Sequence, residues 1–125
     1  MSSDAFLFIR GRLTPESLAD SLRPHFQEEL TRGREHDGSA YWDVPYGEVP
    51  TSVGSNLYES DEYDASRFPA CVSFHGLRVE GEALEEWLER AWREWLPWLE
   101  AAGAEEVLLV RDFGPILRRW QRQGR

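Results

Sequence analysis

The amino-acid sequence predicts an α+β fold, a two-layer sandwich in which two helices pack on one face of an antiparallel sheet. Two patterns support this prediction: short apolar or alternating segments typical of strands, and two longer segments in which apolar residues recur at helical spacing. The chain has 125 residues, of which 41% are hydrophobic and 13% aromatic. This size is typical of one domain with one buried core. We therefore expect a single domain over residues 1–125.

A strand and a helix are predicted near the N-terminus. Residues 5–9 are all apolar, which indicates a buried strand. The helix is predicted to begin at Thr14 and Pro15, because a threonine hydroxyl can cap a helix and proline fits its first turn. Its apolar stripe recurs every four positions, at Leu18, Leu22, Phe26 and Leu30. The stripe extends the predicted helix to about Arg32, although Pro24 can bend the helix or end it early.

The middle of the chain is predicted to contain a long irregular loop and two strands. Residues 33–54 show no sustained period and contain four glycines and two prolines, which predicts the loop. Within it, residues 39–44 can form a short strand that the prolines limit to an edge of the sheet. Strands are predicted at residues 55–59 and 68–75, on either side of an acidic turn. In the second strand, one face is expected to pack and the other to look outward, the outward residues being Pro69, Cys71, Ser73 and His75.

The second half of the chain contains the clearest helical pattern. A helix is predicted over residues 81–102, followed by Gly103 as a C-terminal cap. Its apolar face consists of Leu84, Trp87, Leu88, Ala91, Trp92, Trp95, Leu96 and Leu99. A buried strand is predicted at residues 106–110, and residues 116–120 are predicted to be a short helix or a frayed tail. The order strand, helix, strand, strand, helix, strand is that of a ferredoxin-like sandwich.

The charge is unevenly distributed along the chain. It has 23 acidic residues, 14 arginines and no lysine, which gives a net charge of −9. Residues 1–110 contain 22 of the acidic residues and nine of the arginines, whereas a basic C-terminal tail is predicted at residues 112–125. An acidic body repels phosphate backbones and attracts basic partners, which disfavours direct nucleic-acid binding. The absence of lysine indicates a GC-rich bacterial genome, because lysine codons are rich in A and T.

The sequence favours a cytoplasmic location. No apolar run approaches the roughly 18 to 20 residues that cross a bilayer. The single cysteine, Cys71, has no second cysteine with which to form a disulfide within the chain, which fits a reducing compartment.

Residues of catalytic or metal-binding type are present, but not at characteristic spacings. Cys71 and His75 lie two pleats apart on one predicted strand face, which is a poor geometry for chelating a metal. Neither a zinc motif nor a glycine-rich phosphate loop occurs. A packed structural thiol is the favoured interpretation of Cys71. We therefore predict no catalytic residue, no metal and no cofactor.

The densest acidic feature has four carboxylates in six residues: Glu59, Asp61, Glu62 and Asp64. As a catalytic pair, two of these groups would need shared burial that shifts their pKa values apart. A solvated turn and an acidic recognition patch are the two other interpretations, and they carry about equal weight. Together with Trp42, Asp43 and Tyr46 of the preceding loop, the patch would form an acidic and aromatic surface suited to a basic protein. The alternative for Trp42 is that it caps the open edge of the core.

A small, acidic, single-domain α+β chain with acidic and aromatic loops and no catalytic motif resembles the immunity proteins of polymorphic-toxin and contact-dependent inhibition systems. The resemblance is one of overall character across the whole chain. It implies a non-enzymatic protein that binds and neutralises a cognate toxin with a basic surface, without binding a membrane. The residues that it assigns to partner binding are Trp42, Asp43, Tyr46, Glu59, Asp61, Glu62 and Asp64.

Two other functions stay open at the level of sequence. The first is a small-molecule binder or enzyme with a pocket between sheet and helices, lined by Tyr41, Tyr58, His75 or Cys71. The second is a regulatory module that forms a homodimer through the sheet or through residues 116–120. The protein is accordingly expected to be a monomer or a homodimer.

Overall fold

One antiparallel sheet of seven strands and two helices make up the described part of the computed structural model, which covers residues 3–56, 67–112 and 114–123. The predicted α+β class is therefore confirmed. The elements are, in chain order, β1 (Ser3–Gly11), α1 (Pro15–Leu22), β2 (Thr31–Arg34), β3 (Ala40–Val44), β4 (Thr51–Ser55), β5 (Ala70–Leu77), α2 (Gly81–Ala101), β6 (Ala104–Arg111) and β7 (Ile116–Gln121). The strands lie side by side in the order β2-β3-β4-β5-β1-β6-β7.

Strand β1, which lies between β5 and β6, is apolar on both of its faces. Ala5, Leu7 and Ile9 belong to the main core with the two helices. Phe6 and Phe8 point to the opposite face, where they belong to a second buried cluster. Burial on both faces explains why the strand is a continuous apolar run and not an alternating one.

Helix α1 begins where the sequence predicts and ends much earlier. The Thr14 hydroxyl accepts a hydrogen bond from the Ser17 amide at 3.1 Å, and the Ser17 hydroxyl accepts one from the Thr14 amide at 2.9 Å. The prediction that the helix extends to about Arg32 is wrong. A 3₁₀ turn at Arg23–His25 follows the helix, because Pro24 has no amide hydrogen with which to continue it.

The prediction of an irregular loop over residues 33–54 is also wrong. Two antiparallel connections join β2 to β3 and β3 to β4 in this region. The predicted short strand at residues 39–44 exists as β3, but it lies between two other strands and not at an edge. Gly33 and Gly54 are strand residues that make room for Tyr41, since a side chain on Gly33 would overlap the tyrosine ring.

The two later predicted strands are placed only in part. Only Ser55 of the strand predicted at residues 55–59 lies in β4, and residues 57–66 lie outside the described residues. Strand β5 contains the alternating segment, but both of its faces are packed near its start. Cys71 is 2% exposed and lies beside Phe8 of β1, so the expected outward orientation to solvent is wrong for this residue.

The C-terminal half differs from its prediction at one element. Helix α2, strand β6 and the positive φ of Gly103 between them are as expected. The prediction of a tail at residues 112–125 and that of a short helix or frayed tail at residues 116–120 are wrong for the described part of this segment, because Ile116–Gln121 pair with β6 as strand β7. Tertiary pairing decides this segment, since its two adjacent arginines give no strand periodicity.

No helix within the described ranges is both long enough and apolar enough to span a membrane.

Candidate binding surface and cleft

The structure separates two of the residues assigned to partner binding. Trp42 and Asp43 are neighbours on β3, so their side chains point to opposite faces of the sheet. Trp42 is 5% exposed and packs in the core on the helix side. The guanidinium carbon of Arg32 lies 5.8 Å from its ring centre. This burial agrees with the alternative interpretation, in which Trp42 caps an edge of the core, whereas Asp43 is exposed on the other face.

Tyr46 lies in the connection between β3 and β4, over the middle of α2. Its amide donates a hydrogen bond to the Val44 carbonyl at 2.9 Å. Its ring makes edge contacts with Trp95 and Trp87, at centroid distances of 5.3 Å and 6.2 Å. Burial raises the pKa of its hydroxyl, and a hydrogen bond to the Glu94 carboxylate raises it further. Tyr46 is therefore half-buried, with a polar tip that faces an acidic group.

The remaining assigned residues are Glu59, Asp61, Glu62 and Asp64, and they lie outside the described residues together with Tyr58. Their proximity to Tyr46 stays a prediction.

A cleft of about 830 Å³ lies between the β3–β4 connection, the end of β5 and helix α2. We call it the Tyr46 cleft. Its apolar side chains are Tyr46, Val49, Leu77, Val79 and Trp87, and its charged or titratable ones are Glu48, His75, Arg78, Arg90 and Glu94. An apolar cleft of this size with a few polar groups is typical of ligand sites.

The sequence identified only part of this cleft. The sequence pattern predicts Tyr46 and His75 as possible site residues and Trp87 as a core residue, and it gives no signal for the two arginines. If β3 and β4 are recognised as neighbouring strands, Tyr46 falls in the connection between them at the end of the sheet. The short connection with Gly47 at φ +61° was the signal for that turn.

A second, smaller recess of about 280 Å³ lies on the face of the sheet without helices. Its lining includes Tyr41, Ser52, Cys71, Ser73 and His75. Burial raises the pKa of the Cys71 thiol to about 12, although a contact with the Ser73 hydroxyl at 3.6 Å lowers it in part. The thiol is consequently protonated at neutral pH and is a poor nucleophile.

The outer face of α2 carries exposed carboxylates. Glu82, Glu85 and Glu86 are exposed and form no ion pair within the described ranges, and we call them the acidic ridge. The next glutamate, Glu89, is engaged by Arg93 at 2.9 Å and by Arg118 of β7 at 3.3 Å. No set of three or more histidine, cysteine, aspartate or glutamate side chains in the described part of the chain is arranged to hold a metal ion.

Comparison of the chain with protein-family models, with curated proteins and with solved structures gives no match.

Proposed function

We propose that this chain is an inhibitor of the immunity-protein type, which binds and neutralises a toxin with a basic surface in the cytoplasm. The observation that carries the proposal is the acidic ridge on α2, the same helix that forms one wall of the Tyr46 cleft. The exposed carboxylates of the ridge and the partly exposed ring of Trp87 are carried by this one helix, and the ridge itself borders Arg111. Neither Trp42 nor the undescribed acidic segment is needed for this surface.

The two parts of the surface would contribute differently to binding. Exposed carboxylates that remain hydrated in the free protein speed the encounter with a basic partner more than they add affinity. The rings of Tyr46 and Trp87 offer apolar area that a partner can cover, and such rings supply much of the binding energy at protein interfaces. Steering by charge followed by anchoring on aromatic rings fits tight inhibition.

A finer fold assignment accompanies this proposal. We infer a ferredoxin-like core, because strands β4-β5-β1-β6 and the two helices occur in the order of that fold. Strands β2 and β3 extend this core at one edge and β7 extends it at the other. The fold by itself assigns no function.

The proposal is tested with the product of the adjacent reading frame, since an inhibitor of this type is expected beside its toxin. That product is expressed in a bacterial host alone and together with this chain. We expect growth arrest when it is expressed alone, and growth with a stable purified complex when both are present. The proposal is contradicted if the product stays toxic in the presence of this chain and the two proteins form no complex at low salt. It is also contradicted if the product is harmless when expressed alone and forms no complex with this chain.

Charge variants then test the surface. The triple change Glu82→Gln, Glu85→Gln and Glu86→Gln should lower the association rate constant at low salt by about tenfold and flatten its salt dependence. The control removes three exposed charges elsewhere, with Glu16→Gln, Glu28→Gln and Glu29→Gln. Equal effects of the two triples would show that net charge, and not the ridge, controls binding.

A further inference from the structure

We propose that the Tyr46 cleft binds a small molecule with a flat apolar body and a single negative charge, of the aromatic carboxylate class. The inference needs no partner protein and goes beyond inhibition of a toxin. It depends on the shape of the cleft, on its aromatic floor and on two lining arginines that have no ion pair within the described residues.

The floor of the cleft is formed by aromatic rings that contact one another at an angle. The rings of Tyr46 and Trp87 meet at 74° with centroids 6.2 Å apart. Phe74 lies against both of them, at 5.8 Å from Tyr46 and 5.3 Å from Trp87. Phe74 is fully buried, whereas the rings of Tyr46 and Trp87 are partly exposed. Phe74 therefore supports these two rings on their buried side, and their other side is open to solvent. A flat apolar group can cover this open area with little rearrangement.

The arginines of the cleft are two of the seven described arginines that form no ion pair with a described carboxylate. Among the described residues, ion pairs with carboxylates engage six arginines: Arg10, Arg23, Arg93, Arg111, Arg118 and Arg119. Within the described part of the structure, Arg78 and Arg90 have no such partner, although acidic residues outnumber arginines in the chain. Two unpaired guanidinium groups beside an apolar floor are suited to a carboxylate, which they can bind with charge-assisted hydrogen bonds.

The carboxylates of the same cleft limit the ligand to one negative charge. Glu94 lies close enough to the Tyr46 hydroxyl to raise its pKa, and Glu48 is exposed at the rim. A ligand with two negative charges would be repelled by these groups, since like charges in a partly desolvated site disfavour each other. A cation would leave both guanidinium groups without a partner. The charge pattern therefore favours a monoanion over a phosphate dianion or an amine.

Three probes of equal length separate charge from apolar contact: 3-phenylpropionate, 3-phenylpropionamide and 3-phenylpropylamine. Each is titrated into ¹⁵N-labelled protein while the amide and indole N–H signals are recorded. We expect 3-phenylpropionate to bind at least about tenfold more tightly than the amide, with the amine weakest, because one charge-assisted hydrogen bond is worth about that factor. The largest shifts should occur at Tyr46, Trp87 and Val79.

Substitutions of exposed arginines identify the groups that recognise the charge. Arg78→Gln and Arg90→Gln should each reduce the preference for 3-phenylpropionate over the amide, and the double variant should remove it. Arg93→Gln is the matched control, because Arg93 lies on the same helix outside the cleft. The proposal is overturned if the propionate and the amide bind equally to the unmodified protein, if Arg93→Gln matches Arg90→Gln, or if no probe binds at up to about 10 mM.

Discussion

Glu106 shows how strongly one residue can be fixed by its partners. Its carboxylate is 2% exposed, on the face of the sheet without helices. Arg10 of β1 donates to one oxygen at 3.0 Å, and Arg119 of β7 donates to the other at 2.7 Å and 2.6 Å. Burial alone would raise the pKa of Glu106, but the hydrogen bonds and charges of the two arginines outweigh it and lower the pKa below its usual value. The residue thereby joins three neighbouring strands.

The change Glu106→Gln should lower the free energy of unfolding by about 2 kcal/mol at pH 7. The expected loss is below that of a fully buried pair, because both arginine side chains are partly exposed to solvent. A carboxylate whose pKa is lowered by folding stabilises the protein above its unfolded-state pKa of about 4.3, and this contribution disappears as pH falls through the folded-state value. The difference between the variant and the unmodified protein should therefore shrink below about pH 4.

Urea unfolding at several pH values measures this difference. Glu29→Gln is the control, since Glu29 is exposed and has no ion pair within the described ranges. A stability difference that stays constant down to the acid limit would show that the ionised carboxylate is not the source of the effect.

At the scale of elements, the N-terminus of α1 was predictable because its signal is local. The threonine, proline and serine that begin the helix lie within four residues of one another. Its C-terminus was not predictable in the same way, because Phe26 keeps the apolar period while its backbone is extended. Phe26 packs against Trp98 and Trp95 from that extended backbone. The four-residue apolar period therefore continues past the residue at which the helix ends.

The change Thr14→Ala should destabilise the protein by about 1 kcal/mol, the usual cost of removing an N-cap hydroxyl. Both the hydrogen bond to the Ser17 amide and the reciprocal geometry of the capping box would be weakened. Ser21→Ala is the matched control, because Ser21 is an exposed serine of the same helix outside the cap. Chemical denaturation measures both changes, and equal effects would exclude the cap as the cause.

Strands β2 and β7 were missed, and β3 was predicted only as an edge strand, for reasons that extend beyond their own residues. Gly33 is a loop signal in sequence but a packing requirement in the structure, because the ring of Tyr41 lies over it. Arg119 belongs to a segment predicted to be a short helix or a frayed tail, yet its guanidinium binds a buried carboxylate. Each of these strands forms by pairing with a neighbouring strand. That neighbour is either distant in sequence or cannot be identified as a strand until the pairing is known. The same limit applied to the Tyr46 cleft, which is formed by three separate segments.

At the scale of the whole molecule, the excess of acidic residues opposes folding. A net charge of −9 places many carboxylates on one small surface, and their mutual repulsion is greatest in the compact state. We expect the melting temperature to rise by a few degrees when NaCl increases from about 10 mM to about 150 mM, because salt screens this repulsion.

The variant with Glu82→Gln, Glu85→Gln and Glu86→Gln should show a smaller rise with salt. Scanning calorimetry at both concentrations measures the two shifts. A melting temperature that falls with salt would mean that screened ion pairs, such as those around Glu89, outweigh the general repulsion.

Both edge strands of the sheet carry exposed arginines, which affect how the protein can aggregate. Arg32 and Arg34 are exposed on the edge strand β2, and Arg118 and Arg119 are exposed on the edge strand β7. Unpaired strand edges are templates on which other chains can add, and charged side chains on them oppose this growth. Two copies that approached edge to edge would bring pairs of guanidinium groups together while their backbones paired. The exposed arginines therefore oppose growth into fibrils at both edges of the sheet.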